Sequence, residues 1–162
     1  MTRNAPLAGR TPPEAMKAGP DPEVGPVQAL VELHTRLLDT IEGFDSILDK
    51  AEPEFRPVAA DFRALHIRQS QTVARMLRAM GHDPDQDGSI FGAVNSAAVA
   101  ARSWYEKIST NIMDALVQGE KHVLEAYNGA IEKAASPDRE RVLRADRAAL
   151  VALLDLHAGS GR

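Results

Sequence analysis

The spacing of apolar residues after residue 26 most constrains what this chain can fold into. Apolar side chains recur every three or four residues in four stretches of the 162-residue chain, the period of a helix with one buried face. The first covers residues 26–50 and the second ends at Gly81. Pro53 and Pro57 separate these two, and residues 136–138 separate the last two. No stretch alternates apolar and polar residues as a strand does. We therefore predict an all-α antiparallel four-helix bundle.

Residues 89–108 predict an additional crossover helix with an unusual surface. They combine small side chains, which let helices approach closely, with an apolar seam at Ile90, Phe91, Val94 and Trp104. Part of this surface exceeds what one bundle needs to cover, so we expect a homodimer. The small side chains are those of Ala93, Ala97, Ala98, Ala100 and Ala101.

Composition divides the chain into two parts. Six of its ten prolines fall within residues 1–26, so residues 1–25 are predicted to be a flexible Pro/Gly-rich arm and residues 26–158 the helical bundle. A net charge of -4 with scattered basic residues argues against nucleic-acid binding. The absence of cysteine excludes disulfides and thiolate chemistry. No apolar run reaches the roughly 20 residues of a membrane span, so we expect a cytoplasmic protein that does not bind membranes.

One turn resembles the start of an EF-hand calcium loop. Asp83, Asp85 and Asp87 alternate and Gly88 follows, but the twelfth position of the loop is Val94, where an EF-hand needs a bidentate glutamate. The same residues are explained by Asp-Pro and Asp-Gly turns between two helices. We therefore interpret this segment as a helix connection.

The informative residues are polar groups that fall on the apolar stripes. Glu120 lies in the middle of the third stripe and Asp146 in the fourth, so both carboxylates are predicted to face inward. A buried carboxylate must be protonated, hydrogen-bonded or bound to a cation. The other predicted inward polar residues are His66 and Gln69 on the second stripe, and His34 and Asp45 on the first.

These residues leave three interpretations open. The first is a metal site, because helical bundles build di-iron or di-manganese centres from inward carboxylates and histidines. The second is a hydrogen-bonded layer that joins Glu120 to Gln69, His66 or Asp146 and fixes the helices in register. The third is that some of these groups lie at the edge of the bundle. Iron and manganese are the metals such a site would take, and the sequence favours neither.

Three stretches resemble a bacterial family of ferritin-like bundles described as a domain of unknown function. They are DTIEGF at residues 39–44, LRAMGHDPDQDGSIFGAV at 77–94 and GEKHVLEAYNGAI at 119–131, with Trp104 between the last two. The likeness extends over about residues 27–157. Members carry a similar Gly-Asp-Pro turn between their second and third helices.

The resemblance implies a ferritin-like fold in which inward Glu and His residues hold two metals that react with oxygen or peroxide. On that pattern Glu120, Asp146 and His66 are the candidate metal ligands, with Glu42 as an outer one. Members often carry a second acidic residue before the position of Glu42, where this chain has Ile41. Neither His66 nor His157 is preceded three residues earlier by glutamate. The ligand count therefore favours a non-enzymatic, metal-depleted module that acts through self-association or partner binding; the alternative is a di-metal oxidase or peroxidase.

Overall fold

The computed structural model describes residues 24–84 and 112–158, which form four α-helices and no strand. The helices are α1 (Val24–Lys50), α2 (Arg56–Ala79), α3 (Ile112–Glu132) and α4 (Pro137–Ala158). The predicted all-helical class is confirmed. The crossover helix, residues 1–23 of the predicted arm, and the calcium-like loop after Pro84 lie outside the described residues.

Helix α1 begins at Val24, two residues before the predicted start. Pro26 stands in its first turn, where the missing N–H costs nothing because the first four N–H groups of a helix have no partner within the helix. Pro57 is tolerated in the first turn of α2 for the same reason.

Helix α2 ends through a backbone motif centred on Gly81. The Gly81 N–H donates to the Arg78 carbonyl at 3.0 Å, and the His82 N–H donates to the Leu77 carbonyl at 2.9 Å. This pair of bonds requires a residue in the left-handed region, and Gly81 adopts it with φ of 82° at no steric cost. The prediction that Gly81 ends the second helix is confirmed.

A short connection joins α3 to α4. Ala135 adopts the left-handed region with φ of 54°, which is unfavourable for a residue with a Cβ. Ser136 then caps α4, because its Oγ accepts from the Arg139 N–H at 3.5 Å, and Pro137 occupies the first helical position. Ser136 and Pro137 are thus the local signals in the sequence that mark the start of α4.

The four helices form a ring of neighbours around one core. Helix α1 packs on α2 and α3, while α4 packs on the opposite sides of α2 and α3. The largest core side chains include Tyr127, Phe62, Leu33, Leu37 and Leu77, all buried. No helix among residues 24–84 and 112–158 is long and apolar enough to cross a membrane.

Candidate functional site

A histidine and a glutamate pair inside the core. His66 of α2 is 0% exposed and Glu120 of α3 is 1% exposed, and His66 Nε2 lies 3.0 Å from Glu120 Oε1. Each residue stands on the apolar stripe of its own helix, and the two side chains meet across the core between α1 and α4. The Phe44 ring of α1 stacks on the imidazole at a centroid distance of 5.9 Å and limits its rotation.

Gln69 extends this pair to the fourth helix. Its Oε1 lies 3.2 Å from His66 Nδ1, and its Nε2 donates to the backbone carbonyl of Asp146 at 2.8 Å. Helices α2, α3 and α4 are therefore linked by one continuous chain of buried hydrogen bonds, which we call the polar layer: His66, Gln69, Glu120 and the Asp146 carbonyl. Phe44 adds a contact from α1.

The hydrogen-bond directions determine how many protons the layer holds. Because the Gln69 amide donates to a carbonyl, its oxygen faces His66, and His66 Nδ1 must donate to it. Nδ1 then carries a proton, and a hydrogen bond between His66 Nε2 and Glu120 Oε1 requires one proton between them. The pair is either neutral imidazole with a carboxylic acid or imidazolium with a carboxylate, and both forms have no net charge. This lowers the free-energy cost of placing two ionisable groups in the core.

Three oxygens close to the layer have unused bonding capacity. Glu120 Oε2, Tyr127 Oη and Asp146 Oδ2 are buried, and none makes a hydrogen bond within the part of the chain that the structure describes. Burial raises the pKa of the Asp146 carboxyl, while the positive charges of Arg75 and Arg68 oppose that rise. Burial, with a smaller effect from the Asp146 charge, raises the pKa of Tyr127. Burial thus disfavours the charged form of each group.

The structure separates the predicted inward residues into two groups. His66, Gln69 and Glu120 are buried together, and Asp146 contributes its backbone carbonyl while its half-buried side chain lies outside the chain of bonds. His34 is also buried, on α1.

Two predicted residues lie outside the layer. Glu42 is exposed, and Asp45 has a side chain 51% exposed that pairs with Arg63 of α2. Asp45 lies roughly 80° around the helix from Leu37, at the edge of the apolar stripe, while the neighbouring Phe44 takes the buried position. Placing Asp45 in the buried layer therefore needs correction.

The described residues do not supply a complete metal-binding group. No set of three His, Asp or Glu side chains within residues 24–84 and 112–158 is placed to hold one ion. The polar layer offers one imidazole and one carboxylate, and these already bond to each other. Two hard divalent cations would need several more anionic oxygens. The described donors therefore fit a hydrogen-bonded layer better than a di-metal centre.

Sequence reasoning missed the role of Tyr127. Its buried hydroxyl lies close enough to the Asp146 carboxyl for the Asp146 charge to raise the pKa of Tyr127. The signal was available, because Tyr127 follows Glu120 by seven residues and two helical turns return to the same face. Asp39 of α1 was also missed. Its Oδ2 is buried, and burial raises the pKa of its carboxyl, with Arg36 opposing and Glu42 adding to the rise.

Comparison with known protein families matches residues 26–133 to the family described as Domain of unknown function (DUF2383). The chain belongs to this family. The matched region spans α1, α2 and α3, so it contains His66, Gln69 and Glu120 but not α4. The fourth helix joins the layer through a main-chain carbonyl, which any residue can provide. No curated protein and no solved structure matches the DUF2383 chain.

Proposed function

We propose that this DUF2383 protein is a non-enzymatic helical module that acts through its surface, by self-association or by binding a partner. The proposal rests on how the polar layer is bonded. His66 bonds through both ring nitrogens, one to Gln69 and one to Glu120, and the Gln69 amide donates to the Asp146 carbonyl of α4. A histidine with both nitrogens engaged has no free position for a metal or substrate. The layer instead fixes the rotation and register of three helices.

The proposed fold is an antiparallel, ferritin-like bundle with one long crossover. Residues 51–55 and 133–136 are short connections, which favour antiparallel neighbours, whereas residues 80–111 form a long connection between α2 and α3. The contacts between α2 and α4 support opposite directions. Arg139 near the start of α4 donates to Met80 after the end of α2, and His157 near the end of α4 lies 3.4 Å from Asp61 near the start of α2.

The alternative remains a metal-dependent oxidase or peroxidase built on the same residues. It would use Glu120 and His66 as ligands, with Asp146 and Glu42 completing the set. The exposure of Glu42 and the use of Asp146 through its carbonyl both weigh against this alternative. One observation favours the metal-dependent alternative: Glu120 Oε2 is a buried carboxylate oxygen with no partner among the described residues.

The proposal is tested by measuring self-association when the layer is altered without losing its shape. Sedimentation equilibrium of the wild type should show a monomer–dimer equilibrium, and Glu120→Gln should leave its Kd unchanged within about twofold, because the layer is internal and gives no surface to a partner. A wild type that stays monomeric at every concentration would remove self-association as the function. A dimer lost in a folded Glu120→Gln variant would show that the layer acts in association directly.

A further inference from the structure

Between α1 and α3 the surface contains a groove of about 140 Å³. Its floor is formed by small residues of both helices, namely Ala29, Ala126, Gly129 and Ala130. This volume is below the roughly 300–1,000 Å³ typical of small-molecule pockets. Small residues at a helix surface instead allow another helix to approach closely.

Packing among the described residues does not explain why position 129 in this groove is a glycine. Gly129 lies inside α3, where glycine is less favourable than alanine. A Cβ placed on Gly129 would meet no atom of the described residues within 4 Å, so packing between α1 and α3 does not require glycine there. Among the described residues, nothing occupies the space next to the Gly129 Cα. A close approach from outside would explain why a side chain is absent.

The charged residues around Gly129 are arranged so that they would complement the same residues of a second copy related by a two-fold axis. Glu125 precedes it by four residues and Lys133 follows it by four, and both are exposed at the edge of the groove. Glu125 and Gly129 share one face of α3, and Lys133, the residue after its end, continues that face because its N–H donates to the Gly129 carbonyl. A two-fold axis through Gly129 would place Glu125 against Lys133 of a second copy, and Lys133 against its Glu125. On α1, Glu32 and Arg36 also place opposite charges along the groove, about one turn apart.

We propose that the α1–α3 groove is the surface on which a second copy of this chain docks, with the two α3 helices crossing at Gly129. An isologous contact needs a patch that is complementary to itself, and the order Glu125, Gly129, Lys133 provides this. The inference rests on the proposed self-association and names its surface. A partner with a uniformly acidic or basic helix would meet a like charge at one end of the groove.

The decisive experiment exchanges the two charges in the full-length protein. Glu125→Lys places lysine against lysine at both contacts, and Lys133→Glu places glutamate against glutamate. Each variant should dimerise roughly tenfold more weakly, because two attractive pairs become two repulsive ones. The double variant Glu125→Lys/Lys133→Glu should recover the wild-type Kd. An equimolar mixture of the two single variants should form a heterodimer, detected by native mass spectrometry.

Matched controls carry the same charge changes outside the groove. Glu132→Lys and Lys121→Glu alter exposed residues of α3 that do not line it, and both should keep the wild-type Kd. If the groove variants behave like these controls while the wild type dimerises, the proposed surface is wrong and self-association stands. If the wild type is monomeric throughout, self-association itself fails and this inference fails with it.

Gly129→Leu provides a second measurement that does not depend on charge. The leucine side chain should occupy the groove, retain the helical circular dichroism spectrum and abolish the dimer, whereas Gly129→Ala should raise Tm because alanine favours the helix. A fall in Tm in Gly129→Leu with unchanged dimerisation would mean that another part of the same chain fills the groove. That result would overturn the proposal.

Discussion

Replacing Glu120 in two ways separates the hydrogen bond that it makes from the charge that it can carry. Glu120→Ala leaves His66 Nε2 buried without a partner and opens a cavity at a position that is 1% exposed. An unsatisfied buried group costs about 1–3 kcal/mol, and breaking a buried pair by removing one partner costs about 3–5 kcal/mol in total. Glu120→Gln keeps the volume, and its amide can donate to His66 Nε2. It should therefore cost at most about 1–2 kcal/mol.

The assay is urea unfolding followed by circular dichroism at 222 nm, with Glu132→Gln as an exposed control on the same helix. The control should change the free energy of unfolding by less than about 0.5 kcal/mol. Glu120→Ala should be less stable than Glu120→Gln by about 2–3 kcal/mol, which corresponds to a Tm difference of roughly 5–12 °C for a domain of this size. If Gln proved as destabilising as Ala, an amide of the same volume could not replace the carboxylate, and the reasoning that Glu120 acts here through a hydrogen bond and not through its charge would be refuted.

Three further changes test local features of the structure. Burial raises the pKa of Asp146 above its ordinary 3.8, so the folded state holds this proton more tightly than the unfolded chain, and the free energy of unfolding falls as pH rises above about 3.8. Asp146→Asn should therefore stabilise the protein at pH 7 and lose that gain near pH 3; equal effects at both pH values in urea unfolding would contradict this. Ala135→Gly should raise the free energy of unfolding by about 0.5–1 kcal/mol, since glycine adopts positive φ without strain but loses more chain entropy, and a loss would show that the turn is not strained. Ser136→Ala, one residue later, should lower it by about 0.5–1 kcal/mol through loss of the helix cap, and an unchanged Tm would remove that role.

The helices could be predicted from the sequence because their signals are local. The apolar spacing, the glycine at 81 and the Ser-Pro-Asp connection at 136–138 each act within a few residues, and the observed helix ends lie close to the predicted ones. Left-handed Ala135 could not be predicted, because alanine is not a residue that favours positive φ. The local pattern also did not separate Asp45 from the inward residues, because Asp45 stands at the edge of the apolar stripe and its pairing with Arg63 of α2 is a tertiary contact.

The candidate site was predictable as a set of residues but not as a set of bonds. The position of Glu120 on its stripe indicated a buried carboxylate, and His66 and Gln69 were named as its possible partners. Which of these atoms meet depends on the rotation of α2 against α3 and α4, a tertiary property without a local signal. The contribution of Asp146 through its main-chain carbonyl could not be read from residue types, because every residue has one.

The central claim, that the polar layer is a structural element and not a di-metal centre, is tested most directly by elemental analysis. Protein purified without chelators should carry less than one equivalent of iron, manganese or zinc per chain, and Glu120→Gln should carry the same amount, because the described donors are too few for two hard cations. Near two equivalents of iron or manganese in the wild type, lost in a folded Glu120→Gln variant, would contradict the claim and establish Glu120 as a metal ligand.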